Sequence, residues 1–92
     1  MEITKMLTLS TAHIEESTAQ LLNNGEQSLI LYPKGEYGWF IYIGDQEELE
    51  EKLENLPKEL VSIIQLTLEQ GCEWLCLDQD GEILEELPQF DW

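Results

Sequence analysis

Gly71-Cys72-Glu73-Trp74-Leu75-Cys76-Leu77-Asp78-Gln79-Asp80-Gly81 is an apolar run between two glycines, with carboxylates at its exit. Successive side chains of an extended chain point to opposite faces, so Trp74 and Cys76 share one face and Leu75 and Leu77 the other. A strand that is apolar on both faces belongs deep in a sheet. Residues 73–77 are therefore expected to be the buried spine of the fold. Asp78-Gln79-Asp80-Gly81-Glu82 then reads as a polar strand end and a turn, where Asp and Gly are favoured for backbone reasons.

Upstream of this spine, Leu60, Ile63, Ile64, Thr67 and Leu68 keep helical spacing, and Pro57 suits the first turn of a helix. This predicts the main helix over 57–70, stopped by Gly71. Residues 45–54 have helix-forming composition and predict a short acidic helix before Pro57, although the spacing of Leu49, Leu53, Leu56, Leu60 and Ile63 also fits a single kinked helix. Earlier, the apolar runs 28–32 and 37–43 flank Pro33-Lys34-Gly35-Glu36 and form an antiparallel hairpin. Trp39, Ile41 and Ile43 face one way and Phe40 and Tyr42 the other, and Gly38 marks a bulge or a close backbone approach. A helix over 15–23 ends at Asn24-Gly25, with Ser10 and Thr11 as candidate caps, and a first strand covers 5–9. Residues 82–84 are a candidate edge strand. The predicted order is β-α-β-β-α-β in one domain, residues 1–92. The expected class is α+β, with a mixed or antiparallel sheet and its helices packed on one face, much as in split β-α-β arrangements.

The charge is the strongest constraint on function. Twenty Asp and Glu stand against four Lys and Arg, for a net charge of −16. It is uneven: residues 45–59 carry seven acids and two lysines, and residues 72–92 carry seven acids and no lysine. Direct nucleic-acid binding is not expected, since phosphates require basic residues, and an anionic membrane surface would repel the chain as well. No stretch has the roughly 20 apolar residues of a membrane span, and the N-terminus has no signal-peptide pattern. Cys72 and Cys76 lie about 13 Å apart along a strand, too far for a disulfide, and read as reduced thiols of a cytoplasmic protein.

Motifs for chemistry fail on their missing parts. Asp78, Asp80 and Gly81 fit a calcium loop only if Cys76 and Leu87 took positions that need oxygen ligands. An apolar strand ending in Asp-x-Asp-Gly resembles a phosphatase nucleophile motif, but only eleven residues follow Gly81. His13 is the one histidine, and a lone histidine at a strand-to-helix junction more often bonds nearby backbone than acts as a base. Cys72, Cys76 and His13 supply too few ligands for a structural zinc. No catalytic residue, metal or cofactor is expected. A cleft joining His13, Asp78 and Asp80 would revive the reading of a small enzyme.

Among the eight aromatics, most are expected in the core. Phe90 and Trp92 in the C-terminal tail are expected to fold back onto the sheet, with docking on a partner as the alternative. The acids Asp45, Glu47, Glu48, Glu50, Glu51 and Glu54, together with Asp78, Asp80, Glu82, Glu85 and Glu86, are the candidate partner-binding residues. On a helix Glu47, Glu51 and Glu54 fall along one face, where like charges repel by a few tenths of a kcal/mol per pair.

Four segments, Leu9-Ser10-Thr11-Ala12-His13, Tyr32-Pro33-Lys34-Gly35-Glu36-Tyr37-Gly38-Trp39-Phe40, the run from Gly71 to Asp80, and Leu87-Pro88-Gln89-Phe90-Asp91-Trp92, together resemble a family of short bacterial proteins of unknown function, often carried on plasmids, phages and integrated elements. The resemblance spans nearly the whole chain and carries over no catalytic residue. It implies a context in which small acidic proteins inhibit host restriction or CRISPR defences, some by mimicking DNA. The leading expectation is a non-enzymatic, nucleic-acid-mimicking inhibitor whose partner is a basic nucleic-acid-binding protein. The alternative is an accessory interaction module or homodimer whose charge serves solubility.

Overall fold

The computed structural model describes residues 1–25, 29–36, 38–44 and 49–92. Within them the chain forms β1 (Met6–Ser10), a 3-10 turn (Thr11–His13), α1 (Glu16–Asn24), β2 (Ile30–Pro33), β3 (Trp39–Tyr42), α2 (Leu49–Leu53), α3 (Lys58–Glu69) and β4 (Trp74–Asp78). The class is α+β, with one mixed sheet in the order β1-β4-β3-β2. The apolar run between Gly71 and Gly81 supplies a central strand: β4 pairs parallel with β1 and antiparallel with β3. β2 and β3 form the expected antiparallel hairpin, with Leu31 opposite Ile41.

As expected, a short helix precedes Pro57 and is separate from the main one; counting it, the observed order is β-α-β-β-α-α-β, one element more than the six-element order. Pro57 holds extended backbone, φ −57° and ψ 144°, as the N-cap of α3. A proline here interrupts the leucine spacing that would otherwise run on as one helix. The edge strand expected at 82–84 is reduced to one parallel bridge between Leu9 and Glu82, in which the Ser10 N–H donates to the Glu82 carbonyl at 2.8 Å.

The sheet has two unlike faces. Leu9, Leu75, Leu77, Trp39 and Ile41 join Ile14, Ala19 and Leu22 from the α1 region and Leu60, Ile63 and Ile64 from α3 in one buried cluster. The helices therefore cover this face. On α3, Leu60, Ile63, Ile64 and Thr67 are buried as their spacing demands, and the Thr67 hydroxyl donates to the Ile63 carbonyl at 2.8 Å. Leu68, expected in the same stripe, is 41% exposed. At about 100° per residue it lies roughly 80° round the helix from Leu60, at the edge of the stripe.

The caps are partly tertiary. Ser10 Oγ accepts from the Ala12 N–H and so caps the 3-10 turn. α1 receives no side-chain cap from Glu15. Instead Glu59 of α3 reaches across, its Oε2 accepting from the Glu15 N–H at 3.0 Å and the Thr18 hydroxyl at 2.7 Å. An acid in the first turn of α3 thereby satisfies a free donor at the start of α1.

After β4 the chain turns at Asp80 and passes close against β1. A methyl group on Gly81 would lie 2.5 Å from the Leu9 carbonyl and 2.8 Å from the Ser10 nitrogen. These are backbone atoms and cannot rotate away. Gly81→Ala is expected to lower unfolding stability by about 1–3 kcal/mol, read by denaturant titration. Gly38 shows the expected close approach, its missing side chain facing the carbonyls of Leu77 and Lys34 at 2.8 Å.

Candidate functional site

Of the acidic residues expected to meet a partner, Glu50 and Glu51 are exposed on α2, and Glu54 is exposed just after it. Leu49 is buried and fixes the helix to the core. Asp80, Glu82, Glu85 and Glu86 are exposed along the segment that leaves β4. Asp45, Glu47 and Glu48 lie outside the described residues. The described acids thus rise from two parts of the fold, one before α3 and one after β4.

Asp78 is different. It ends β4, is half-buried, and forms an ion pair with Lys34 of the hairpin turn. Its Oδ1 also accepts from the Asp80 N–H at 2.9 Å. The hydrogen bond from Lys34, then that from Asp80, holds its carboxyl below the usual aspartate value of 3.8. The same bond raises the Lys34 ammonium above its ordinary 10.5, against the opposing effect of desolvation. A lowered folded value means that the carboxylate contributes stability at neutral pH, and that this contribution is lost as pH falls below about 4 through the folded value. Asp78→Asn should therefore be less stable than the parent at pH 7, with the gap closing in acid. A gap that stays constant down to pH 2 would contradict the pairing.

Lys34 also sits 5.5 Å from the centre of the Phe40 ring and 3.7 Å from Cys76 Sγ. All three groups belong to the sheet face that the helices do not cover. The registers Met6–Trp74–Tyr42–Ile30 and Thr8–Cys76–Phe40–Tyr32 run across it in two rows. Trp74 packs on Tyr42, with ring centres 5.1 Å apart, and lies 6.3 Å from Tyr32. Trp74, Phe40 and Tyr42 are only half-buried, and Tyr32 is 55% exposed. This corrects the expectation that most aromatics fill the core; β4 is the buried spine expected at Leu75, Cys76 and Leu77, and Trp74 departs from it. The alternation of Phe40 and Tyr42 against Trp39 and Ile41 carried the signal, but a two-sided apolar strand does not say which face is covered.

His13 is 1% exposed. Its Nε2 accepts from the Leu84 N–H at 3.0 Å, and its Nδ1 is 2.8 Å from the Pro88 carbonyl. These partners fix the neutral tautomer with the proton on Nδ1. His13 does bond backbone, as expected, but at 71 and 75 residues' remove. The tail continues along the same segment: the Phe90 N–H donates to the Ala12 carbonyl at 2.7 Å and Trp92 Nε1 to the Ile14 carbonyl at 2.8 Å. The tail folds back, onto the 3-10 turn and not onto the open sheet face. Ser10, Thr11, Gln79, Phe90 and Trp92 line a hollow of about 360 Å³ there. His13, Asp78 and Asp80 are not assembled into one constellation, since both ring nitrogens of His13 are engaged by the tail and Asp78 is engaged by Lys34.

Cys72 and Cys76 are free thiols. Among the described residues, no three His, Cys, Asp or Glu side chains converge where they could hold a metal ion, and no helix is long and apolar enough to cross a membrane.

No curated protein and no solved structure matches the chain. A family model, described as the C-terminal domain of the family of unknown function DUF5983, matches residues 6–92. The match takes in every strand and helix described above and the folded-back tail, and by it the chain belongs to the DUF5983 family.

Proposed function

We propose that this is a non-enzymatic cytoplasmic binding protein whose acidic surface occupies a basic, nucleic-acid-binding surface of another protein. The observation that carries the reading is the placement of charge. Most of the net −16 is concentrated in residues 45–59 and 72–92, and the described carboxylates there, apart from the half-buried and hydrogen-bonded Glu59, Glu73 and Asp78, are exposed on backbone anchored to the core. Leu49 anchors α2, and the bridge to β1 and the His13 bonds anchor the segment after β4. Carboxylates held on ordered backbone present a fixed pattern of negative charge, and such a pattern steers and selects a cationic partner. The narrower reading, an inhibitor of a restriction or CRISPR protein, rests on analogy: the chain resembles a family of unknown function often carried on mobile elements, a context in which small acidic proteins act as such inhibitors.

The test is ionic strength. Binding to the partner recovered from the cell that encodes the chain should weaken steeply between about 0.05 and 0.5 M salt, because the Debye length shrinks over that range. Affinity that is flat across the same range would overturn the reading and favour a module, or a homodimer, whose charge serves solubility alone.

A further inference from the structure

The uncovered sheet face carries two stations that pair aromatic rings with carboxylates. At one, the chain's own cation is in place: the Lys34 ammonium lies over the Phe40 ring and pairs with Asp78. At the other, Trp74, Tyr42 and Tyr32 line a groove of about 700 Å³ with Glu73 and Glu2, and no lysine of the chain is among its lining residues. We propose that this groove binds an arginine side chain projecting from a basic segment of the partner protein.

Three observations support the assignment. The rings are clustered for it: Trp74 lies 5.1 Å from Tyr42 at 58° and 6.3 Å from Tyr32 at 36°, and all three line the groove with their planes tilted against one another. The charge is complementary. Glu73 and Glu2 supply two carboxylates at the rim of a chain with a net charge of −16. Glu73 Oε2 also accepts from the Lys5 N–H at 2.7 Å, which fixes the carboxylate beside the groove. Finally, the Lys34 station shows the same chemistry in use within the molecule. A second copy of so acidic a chain would bring like charge to this face, so the occupant is a cationic partner. Arginine fits better than lysine. Its guanidinium is flat and weakly hydrated, stacks on aromatic faces, and keeps in-plane N–H groups for carboxylates.

This inference rests on the reading that the partner is basic, and it adds a second surface to the exposed acids. A hexa-arginine peptide titrated into the ¹⁵N-labelled full chain is the test, with hexa-lysine as the comparison. The expected result is a saturable shift of the Trp74 indole and the Tyr32 and Glu73 amides, with hexa-arginine binding the tighter. Tyr32→Ala removes an exposed ring and leaves the core untouched; it should weaken hexa-arginine by about fivefold. Glu73→Gln should weaken both peptides. Shifts confined to α2 and the segment after β4, with affinity unchanged in Tyr32→Ala, would overturn the groove while leaving the acidic surface standing. Equal affinity for the two peptides would overturn the arginine assignment. Absence of binding at low salt would overturn both the groove and the broader reading of a protein for basic partners.

Discussion

His13→Ala is expected to destabilise the protein by about 2–4 kcal/mol, more than other single side-chain truncations outside the apolar cluster. The imidazole is almost fully buried and is bonded at both nitrogens to the returning tail. Truncation leaves the Leu84 N–H and the Pro88 carbonyl without their partner and removes a side chain that is 1% exposed. Each stranded group costs on the order of 1–3 kcal/mol if it stays dry, less where water reaches it, as it does at exposed Pro88. For a chain of 92 residues the loss corresponds to a fall in Tm of roughly 10–25 °C. Two further substitutions separate the bonds. His13→Asn places an amide nitrogen near the Nδ1 position and should recover the Pro88 bond alone. His13→Gln places an acceptor near the Nε2 position and should recover the Leu84 bond. Hydrogen exchange at Leu84 then reports which bond is restored. If His13→Ala unfolds at the same denaturant concentration as the parent, the tail is not held as described.

Reversing Glu50, Glu51 and Glu54 to lysine should leave the fold intact and weaken partner binding by at least about tenfold at low salt. Each reversal changes the charge by two, so the net charge falls from −16 to −10. The three side chains are exposed. Repulsion between Glu50 and Glu54, four apart, is merely exchanged for repulsion between lysines, so stability should stay within about 0.5 kcal/mol of the parent. The loss should fall mainly on the association rate, as expected when a rim charge acts by steering. Reversing Glu82, Glu85 and Glu86 tests the other acidic segment in the same way. A variant that keeps full affinity would remove that segment from the interface.

Much of the fold was legible because its signals are local. Short apolar runs bounded by turn residues placed the four strands within one or two positions, and the β2–β3 turn followed from Pro33-Lys34-Gly35-Glu36. The buried stripe of α3 followed from its spacing, apart from Leu68 at its edge. What was not legible depends on contacts distant in sequence. Nothing near Glu15 announces that its cap is Glu59, and nothing near His13 announces Leu84 and Pro88. Ser10 and Thr11 looked like helix caps because the intervening 3-10 turn has no periodic pattern.

The candidate site divides the same way. The acids are visible as composition, and those described are exposed, or half-buried in the case of Asp78. The aromatic groove was invisible because Trp74 reads as buried in a strand apolar on both sides, although its neighbour on the same face, Cys76, is buried as expected. That the helices share one face was expected; which side chains lie on the other follows only from the registers that align Trp74, Tyr42 and Ile30. The carboxylate of Asp78, first grouped with the free acids, is committed to Lys34, and so belongs to the internal cation station.

The most direct test of the central claim is a competition titration. The partner captured from the cell that encodes this protein is titrated with the full chain, with and without duplex DNA. DNA and the protein are expected to exclude each other, the apparent affinity falling in proportion to added DNA. A ternary complex, with undiminished affinity for the protein on DNA-saturated partner, would contradict the claim.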